Sequence, residues 1–371
     1  MISLIICSTK KETPQWLVEN IKQTIGAEYE IIHIDNSENR FNMCSAYNEG
    51  VRRANGDVLC FMHEDIKYYS QDWGKSIERH MQNPDVSMLG VFGSTVVPKD
   101  FDFRFSGFTT GHLIQRTVRI SNPKEYVLDG VNWDVNAPLM NVAMVDGCWF
   151  CIKASLFKGD NPIRFDNKTF DSFHLYDCDI CMQVNERKKG IYLVSDIVLE
   201  HFSEGVFADG YLDGINKFFS KWADSLPCCI EGMNVESCAE RLKKGKAFYK
   251  KILVRDKMIM SLRKYFAAKK AGEPVGPLTN DDIRSFQRLE FRYAKCVIKY
   301  SPTQKEALRA FDTFQNLPLF GKYSKIKLIG KFFFYRYISP NKKWKKNSIY
   351  LADKKNMSNF ANAILPKNQN K

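Results

Sequence analysis

The apolar positions of the first 100 residues alternate between short continuous runs and helical spacing. Four runs have the length and composition of buried strands. They are Ile2 to Cys7, Tyr29 to Ile34, Val58 to Met62 and Val86 to Phe92. Between the first three runs, residues 17–25 and 46–54 repeat apolar or small side chains at the spacing of one helix face. Strands and helices that alternate with short connections predict a parallel sheet with right-handed crossovers.

Less regular elements continue to about residue 228. Val142 to Ile152 predicts one strand, interrupted at Asp146-Gly147, and a helix is expected to begin near Asp177 and to stop at Gly190. Further on, apolar positions recur at helical spacing in long basic segments. The sequence therefore predicts an α/β domain over residues 1–228 and a basic, mainly α-helical region over residues 229–371.

The composition is that of a soluble globular protein, since 44% of the 371 residues are hydrophobic and 26% are charged. No apolar run reaches the roughly 18 residues of a membrane-spanning helix, and the start of the chain lacks the basic region of a signal peptide. Eleven scattered cysteines favour a reducing compartment. We therefore expect a cytoplasmic protein. Cys148 and Cys151, although spaced like half of a zinc site, fall in an apolar strand and are expected to be core residues.

The charge is divided unequally along the chain. Residues 231–371 hold 32 basic and 11 acidic side chains, whereas residues 1–230 hold 23 and 31. The basic part carries no recognised nucleic-acid motif, so no nucleic-acid partner is expected. Its lysine–aromatic clusters at 325–346 are typical of segments at an anionic membrane surface. A peripheral position on the inner membrane face, a solvated helical face and a packing or homodimer interface all remain open.

Polar side chains follow three of the predicted strands. Ser8 and Thr9 come after the first, Asp35 after the second, and Glu64 and Asp65 after the third. Ligands of such sheets bind beyond the carboxyl ends of the strands. Neither G-x-G-x-x-G nor G-x-x-x-x-G-K-[ST] follows the first strand, which disfavours dinucleotide binding and P-loop chemistry. The pair Glu64-Asp65 could hold a divalent cation that binds phosphate oxygens, or Asp65 could cap the next turn.

Two later segments also carry candidate chemistry. Asp177 and Asp179 stand two residues apart at a predicted helix start, where they could be caps or where one could be a general base. An Asp with an ordinary pKa near 3.9 is ionised at neutral pH and needs no tuning for that task. His201, which follows a short strand, could complete a mixed nitrogen and oxygen metal site with Asp65, or could be an ordinary hydrogen-bonded histidine.

The order of these motifs resembles that of the family 2 glycosyltransferases, which have the GT-A fold. The family pattern N-x-G, A-x-G-(D/E), apolar strand and acidic pair is similar to residues 48–65. The match continues through Val145-Asp146-Gly147, the Asp177-Cys178-Asp179 pair and His201, and so spans roughly residues 1–225. The resemblance implies a mixed sheet flanked by helices. The His-Glu-Asp form is similar to a bacterial subgroup that includes streptomycin-biosynthesis-type proteins.

The resemblance also implies a role for each matching position. Ser8, Thr9 and Asp35 would contact the base and ribose of the nucleotide. Asp65 and His201 would bind a divalent cation, Mn²⁺ or Mg²⁺, and Asp177 would be the catalytic base. The remaining donor-site positions implied by the match are Glu64, Asp146 and Asp179. This chain departs from the family at His63, where a first Asp is expected, and at Tyr176, which replaces a Glu.

The expected activity is inverting transfer of a hexose or N-acetylhexosamine from a nucleotide-sugar, with UDP as the favoured nucleotide. The acceptor would be a hydroxyl of a glycan or of a lipid-linked molecule, in cell-surface polysaccharide synthesis. A nucleotidyltransferase on a similar sheet, or a sugar- or nucleotide-binding module without catalysis, is the alternative. Binding of a nucleoside diphosphate with and without manganese would distinguish them.

Overall fold

The computed structural model describes residues 1–111, 113–115, 127–129, 138–202, 210–247, 249–250, 253 and 271–274. The chain divides into two compact units, one formed by residues 1–116 and 128–250 and the other by residues 117–127 and 251–371. Nearly all described residues belong to the first unit. The helices and lysine–aromatic clusters expected beyond residue 253 lie outside the described residues, and the predicted domain boundary at 228/229 stays a prediction.

The strands of the described part are short, and most are buried. In chain order they are β1 (Ile2–Ser8), β2 (Tyr29–Asp35), β3 (Val58–Met62), β4 (Ile66–Tyr68), β5 (Val86–Gly90), β6 (Phe92–Ser94), β7 (Val96–Val97), β8 (Thr109–Gly111), β9 (Leu113–Gln115), β10 (Val127–Asp129), β11 (Leu139–Val142), β12 (Met144–Val145), β13 (Trp149–Lys153), β14 (Gly190–Val194), β15 (Leu199–His201) and β16 (Cys228–Cys229).

The α-helices of the described part flank these strands. They are α1 (Gln15–Thr24), α2 (Met43–Arg53), α3 (Trp73–Met81), α4 (Tyr176–Glu186) and α5 (Tyr211–Lys221), with 3₁₀ turns at Phe103–Phe105, Ala154–Phe157 and Glu236–Cys238. No helix among the described residues is long and apolar enough to cross a membrane.

A seven-stranded mixed sheet forms the centre of the first unit, with the strand order β11-β14-β5-β13-β3-β1-β2. β1 is parallel to both β2 and β3, which confirms the parallel sheet predicted for the start of the chain. β14 is parallel to β5, whereas β13 runs antiparallel to its two neighbours, β3 and β5. The α/β fold class expected from the sequence, a mixed sheet flanked by helices and similar to the GT-A type, is confirmed for the described part.

The predicted strand from Val142 to Ile152 is three strands in the structure. β11 and β13 belong to the central sheet, while β12 pairs with β6 in a separate three-stranded sheet. The prediction was wrong because the whole stretch is apolar apart from the Asp146-Gly147 interruption, and a buried apolar run carries no signal for the sheet to which each part belongs. The break at Asp146-Gly147 itself is confirmed, since it lies between β12 and β13.

Both faces of β3 are buried, so the central sheet has a core on each side. On one face, Cys60 and Met62 belong to a cluster with Leu17 and Ile21 of α1 and with Trp73 of α3. On the other face, an aromatic cluster forms around Phe61. Its members are Tyr47, Phe61, Phe150, Phe157, Phe165 and Tyr176. Apolar burial of this kind fixes the position of the strand whose end carries His63.

The helix α4 begins one residue earlier than expected and ends three residues before Lys189. Leu175, immediately before it, has a left-handed backbone with φ 67°. Gly190 does not stop the helix: it is the first residue of β14, and a Cβ there would lie 2.2 Å from the backbone oxygen of Asp85. The left-handed residue after α4 is Lys188, with φ 53°. Glycine at position 190 is therefore explained by close packing of two strands.

Candidate active site

Three elements of the fold bring potential metal ligands together at the carboxyl edge of the central sheet. His63 directly follows β3, Asp65 lies just before β4, and His201 is the last residue of β15, which pairs with β4. One ligand atom from each of the three lies within 4.8 Å of the others. The predicted pair Asp65 and His201 is thus brought together, with His63 added as a third potential ligand.

The hydrogen bonds of Tyr176 determine which nitrogen of His63 carries a proton. The Tyr176 hydroxyl donates to the backbone oxygen of Gly147 at 3.0 Å and also lies 3.0 Å from Nε2 of His63. Because a hydroxyl has one hydrogen to donate, His63 Nε2–H must be the donor in the second bond. The lone pair of His63 is then on Nδ1, which lies 3.2 Å from Nε2 of His201.

The distances within the cluster suit a shared cation. Nε2 of His201 lies 3.4 Å from Oδ1 of Asp65, and Nδ1 of His63 lies 4.0 Å from the same oxygen. Atoms that ligate one cation at about 2.1 Å stand roughly 3.0–3.4 Å apart in octahedral or tetrahedral geometry. The two distances to His201 Nε2, 3.2 and 3.4 Å, fall in this range, and the 4.0 Å distance between His63 and Asp65 would shorten slightly around a cation. Burial and the neighbouring His201 lower the pKa of His63 to about 4, which keeps it neutral, as a ligand must be. These residues therefore fit a divalent metal ion.

A buried carboxylate cluster lies on the other side of Tyr176. Asp177, only 3% exposed, accepts at Oδ2 from the backbone N–H of Gly147 at 2.9 Å and from Nη2 of Arg104 at 3.2 Å. Nε of Arg104 also donates to Oδ2 of Asp146 at 2.8 Å, and Nη1 pairs with Asp102 at 3.0 Å. One guanidinium thus joins three carboxylates that come from separate parts of the chain.

This arrangement changes the protonation of the predicted base. Burial raises the pKa of Asp177, Arg104 opposes that shift, and the neighbouring Asp146 adds to it. The pKa of Asp146 moves the other way, to about 2, because its ion pair with Arg104 outweighs the effect of burial. The environment of Asp177 is therefore not that of an ordinary Asp: desolvation works against its ionisation and Arg104 works for it.

The predicted nucleotide-binding residues surround the ends of β1, β2 and β3. The Ser8 hydroxyl forms a short hydrogen bond with Glu64, and the Thr9 hydroxyl donates to the same carboxylate at 3.1 Å. Asp35 accepts from the backbone N–H of Ser37 at 2.9 Å, which lowers its pKa. The structure thus brings Ser8, Thr9 and Glu64 together. Glu64 is engaged by the end of β1 and is not part of the three-residue metal cluster.

Asp179 is placed apart from the other candidates. Its carboxylate accepts from Nε1 of Trp222 at 2.9 Å, from Nε2 of Gln183 at 2.8 Å and from Nζ of Lys221 at 2.7 Å. With 1% exposure it is held between α4 and α5. These contacts favour a structural role, and its assignment to the donor site stays a prediction.

Three residues of the site were not found by sequence reasoning in the roles that the geometry suggests. His63 and Tyr176 were noted only as departures from the family pattern, although a histidine two residues from a candidate carboxylate ligand could have been considered as a further ligand, since imidazole nitrogens bind transition metals. Arg104 lies in a 3₁₀ turn within an aromatic-rich segment that has no regular periodicity. No local pattern predicts its reach to Asp146 and Asp177.

The fold and the site together define an α/β protein of GT-A type, with a histidine–aspartate cluster and an arginine-paired carboxylate at the ligand-binding edge of its sheet. A family model described as "glycosyltransferase like family" matches residues 3–204. The chain belongs to this glycosyltransferase-like family, which supports glycosyl transfer as its general activity. The resemblance stated from sequence is thereby confirmed at the level of the family.

Two of the solved structures that are similar to this chain show low sequence identity to it. The match with A197 from STIV has 14% sequence identity and a TM-score of 0.32, and it covers 55% of this chain and 86% of the A197 chain. The match with GalNAc-T7, whose structure was determined with UDP, GalNAc and Mn²⁺, has 11% sequence identity and a TM-score of 0.39. It covers 66% of this chain and 54% of the GalNAc-T7 chain. A search of curated proteins gives no match.

Proposed function

We propose that this protein transfers a sugar from a nucleotide-sugar donor to an acceptor hydroxyl with inversion at the anomeric carbon. The observation that carries the proposal is the joint placement of two groups at one sheet edge. One is the metal cluster of His63, Asp65 and His201; the other is Asp177, a buried carboxylate held by Arg104. Tyr176 connects the two groups, because it directly precedes Asp177 in the chain and its hydroxyl is hydrogen-bonded to His63. Family membership supports the same reaction.

His63, Asp65 and His201 would hold the cation through two imidazole nitrogens and one carboxylate oxygen. This donor set favours Mn²⁺ over Mg²⁺, because Mg²⁺ prefers oxygen ligands alone. A divalent cation bound there supplies positive charge that offsets the charge developing on a departing diphosphate. The hydroxyl of Tyr176 keeps Nδ1 of His63 available by occupying Nε2.

Asp177 would accept the proton of the acceptor hydroxyl as that oxygen attacks the anomeric carbon. Both of its hydrogen bonds with Arg104 and Gly147 end on Oδ2, and they stabilise the ionised carboxylate that this role requires. Arg104 thereby positions the base and keeps it ionised. Asp35, Ser8 and Thr9 stand at the neighbouring strand ends, where they would contact the ribose and base.

The finer parts of the proposal concern donor, acceptor and location. We take UDP as the nucleotide, a hexose or N-acetylhexosamine as the sugar, and a glycan or lipid-linked hydroxyl in polysaccharide synthesis as the acceptor. Membership in the bacterial subgroup with streptomycin-biosynthesis-type proteins, a cytoplasmic location and a homodimer are further proposals. So is attachment of residues 229–371 to the inner membrane face, which rests on their excess of 32 basic over 11 acidic side chains from residue 231 onward.

The deciding experiment is calorimetric titration of the full chain with UDP, with and without Mn²⁺. The proposal predicts UDP binding that strengthens with Mn²⁺ in the parent and loses that dependence in Asp65→Ala and His201→Ala. Glu12→Ala, at an exposed position, is the matched control and should behave as the parent does. Failure of any nucleoside diphosphate to bind under either condition would refute the proposal. Release of pyrophosphate from a nucleoside triphosphate would instead identify a nucleotidyltransferase.

A further inference from the structure

A cavity of about 330 Å³ lies far from the candidate active site, at the opposite end of β3. Leu59, near the start of β3, lines it, whereas His63 follows the end of that strand. Val58 and Met62, the terminal residues of β3, are four positions apart, or about 13 Å at the rise of an extended strand. The length of β3 therefore separates the cavity from the metal cluster.

The charge of the cavity is opposite in sign to the net charge of residues 1–230. Residues 1–230 carry more acidic than basic side chains, 31 against 23. The cavity is nevertheless lined by three basic residues, Arg52, Lys158 and Arg164, and by no acidic one. Arg52 is neutralised by its ion pair with Glu49 at 2.7 Å. Lys158 and Arg164 have no carboxylate partner within the part of the chain that the structure describes, so two positive charges remain uncompensated.

Arg164 is held in place before any ligand binds. Its Nη1 donates to the backbone oxygens of Phe157 and Ile163, at 2.5 and 2.7 Å. Its own backbone is held from both sides by Gln183, which accepts from the N–H at 3.1 Å and donates to the carbonyl at 2.7 Å. Nε and Nη2 make no hydrogen bond among the described residues. An arginine fixed in this way retains donors for an anion and loses little conformational entropy on binding it.

Apart from Asn48, whose side chain is hydrogen-bonded to the backbone of Phe165, the rest of the lining is apolar. Val51, Leu59, Ala154 and Phe157 contribute aliphatic and aromatic walls, and Leu59 and Phe157 are buried. The volume falls at the lower end of the roughly 300–1,000 Å³ typical of small-molecule sites. Such walls suit a compact organic body, while two uncompensated charges match the dianion of a phosphate monoester.

We propose that this cavity is a second ligand site that binds a small organic phosphate monoester. Arg164 and Lys158 bind the phosphate group, and the wall formed by Val51, Leu59 and Phe157 contacts the organic body. The proposal does not depend on the proposed glycosyl transfer, because none of these residues belongs to the metal cluster or contacts Asp177. Its failure would leave that function untouched.

The test uses calorimetry on the full chain in the presence of a metal chelator, with phenyl phosphate as the probe. Benzoate, inorganic phosphate and benzyl alcohol separate the contributions of the second negative charge, the ring and the phosphate group. Arg164→Gln should weaken phenyl phosphate binding about tenfold or more, the effect of losing a charge-assisted hydrogen bond. Lys158→Gln should also weaken binding, and it removes no other contact of this kind, because the side chain of Lys158 makes no hydrogen bond among the described residues; its backbone N–H bond to Ser155 is retained.

Two further variants act as controls. Lys22→Gln removes one exposed positive charge from α1 and should leave binding unchanged. Asp65→Ala should also bind the probe normally, because the cavity is separate from the metal cluster. Equal affinity of the parent and both cavity variants would overturn the proposal. Loss of binding in Asp65→Ala, or equal affinity for phenyl phosphate and benzyl alcohol, would do the same.

Discussion

Replacement of Tyr176 by Phe tests the link between the metal cluster and the predicted base. The change removes one hydroxyl and retains the ring, which packs against Tyr47 with centroids 5.3 Å apart. That hydroxyl makes two hydrogen bonds of 3.0 Å, one to the buried carbonyl of Gly147 and one from Nε2 of His63. In Tyr176→Phe, the carbonyl oxygen of Gly147 and Nε2 of His63 each lose the only hydrogen bond that they make among the described residues.

The expected magnitude follows from these two losses. An unsatisfied buried carbonyl costs about 1–3 kcal/mol of stability. The loss of a hydrogen bond that orients a metal-ligating histidine typically weakens metal affinity by about 10–100-fold. The reason is that His63 can then rotate or place its proton on Nδ1, which competes with the cation. Tyr176→Phe should therefore lower both the free energy of unfolding and the affinity for Mn²⁺.

The two effects need separate measurements. Urea unfolding gives the change in stability, and calorimetric titration with Mn²⁺ in the presence of UDP gives the change in affinity. Tyr192→Phe is the matched control, because the half-exposed Tyr192 lies on β14 and its hydroxyl makes no hydrogen bond within the described residues. It should alter neither quantity appreciably. Unchanged Mn²⁺ affinity in Tyr176→Phe, together with reduced stability, would refute the orienting role and leave the hydroxyl a purely structural one.

Three other substitutions separate catalysis, ionisation and stability. Asp177→Asn should retain UDP binding and lose about 10²–10⁴-fold in transfer rate, the usual contribution of a general base; a much smaller loss in a product assay would move that role elsewhere. Arg104→Gln should shift the acid limb of the pH–rate profile upward, because burial already raises the pKa of Asp177 and the opposing positive charge is lost; an unshifted limb would show that Arg104 does not maintain its ionisation. Asp179→Asn should lower stability in urea by about 1–3 kcal/mol and should leave UDP affinity intact. The loss of stability is limited because Lys221 retains its bond with Asp166 at 2.8 Å.

The sequence predicted the part of the site that depends on local pattern. The polar residues after β1, β2 and β3 converge because parallel strands present their carboxyl ends at one edge, a consequence of topology alone. His201 reaches the same edge through the pairing of β15 with β4, in a smaller sheet that no local signal announces. The sequence alone left open whether His201 joins Asp65 in a metal site or is an ordinary hydrogen-bonded histidine, and the family resemblance favoured the metal site.

The remaining parts of the site depend on contacts between distant segments. Arg104 is 73 residues from Asp177, and its side chain reaches that carboxylate from a 3₁₀ turn with no helical or strand periodicity. The elevated pKa of Asp177 depends on burial by the finished core, which a pattern of two acidic residues cannot show. Asp179 fits the same motif as Asp177 but faces Trp222 and Lys221, because neighbouring positions on a helix lie on different faces.

The antiparallel strand β13 has a consequence for the way in which this chain must fold. It fills the space between β3 and β5, which are therefore about 9–10 Å apart and share no backbone hydrogen bonds. The first 100 residues contain both of these strands but not the one that joins them. Until residues 149–153 leave the ribosome, β3 and β5 each present an open, apolar edge of the kind that associates with other chains. β13 joins the two parts of the sheet, and β14 (Gly190–Val194) completes it by pairing with β5 and β11. A fragment that ends before Trp149 would contain the three strands β2, β1 and β3, and it would contain β5 without either of its neighbours in the sheet.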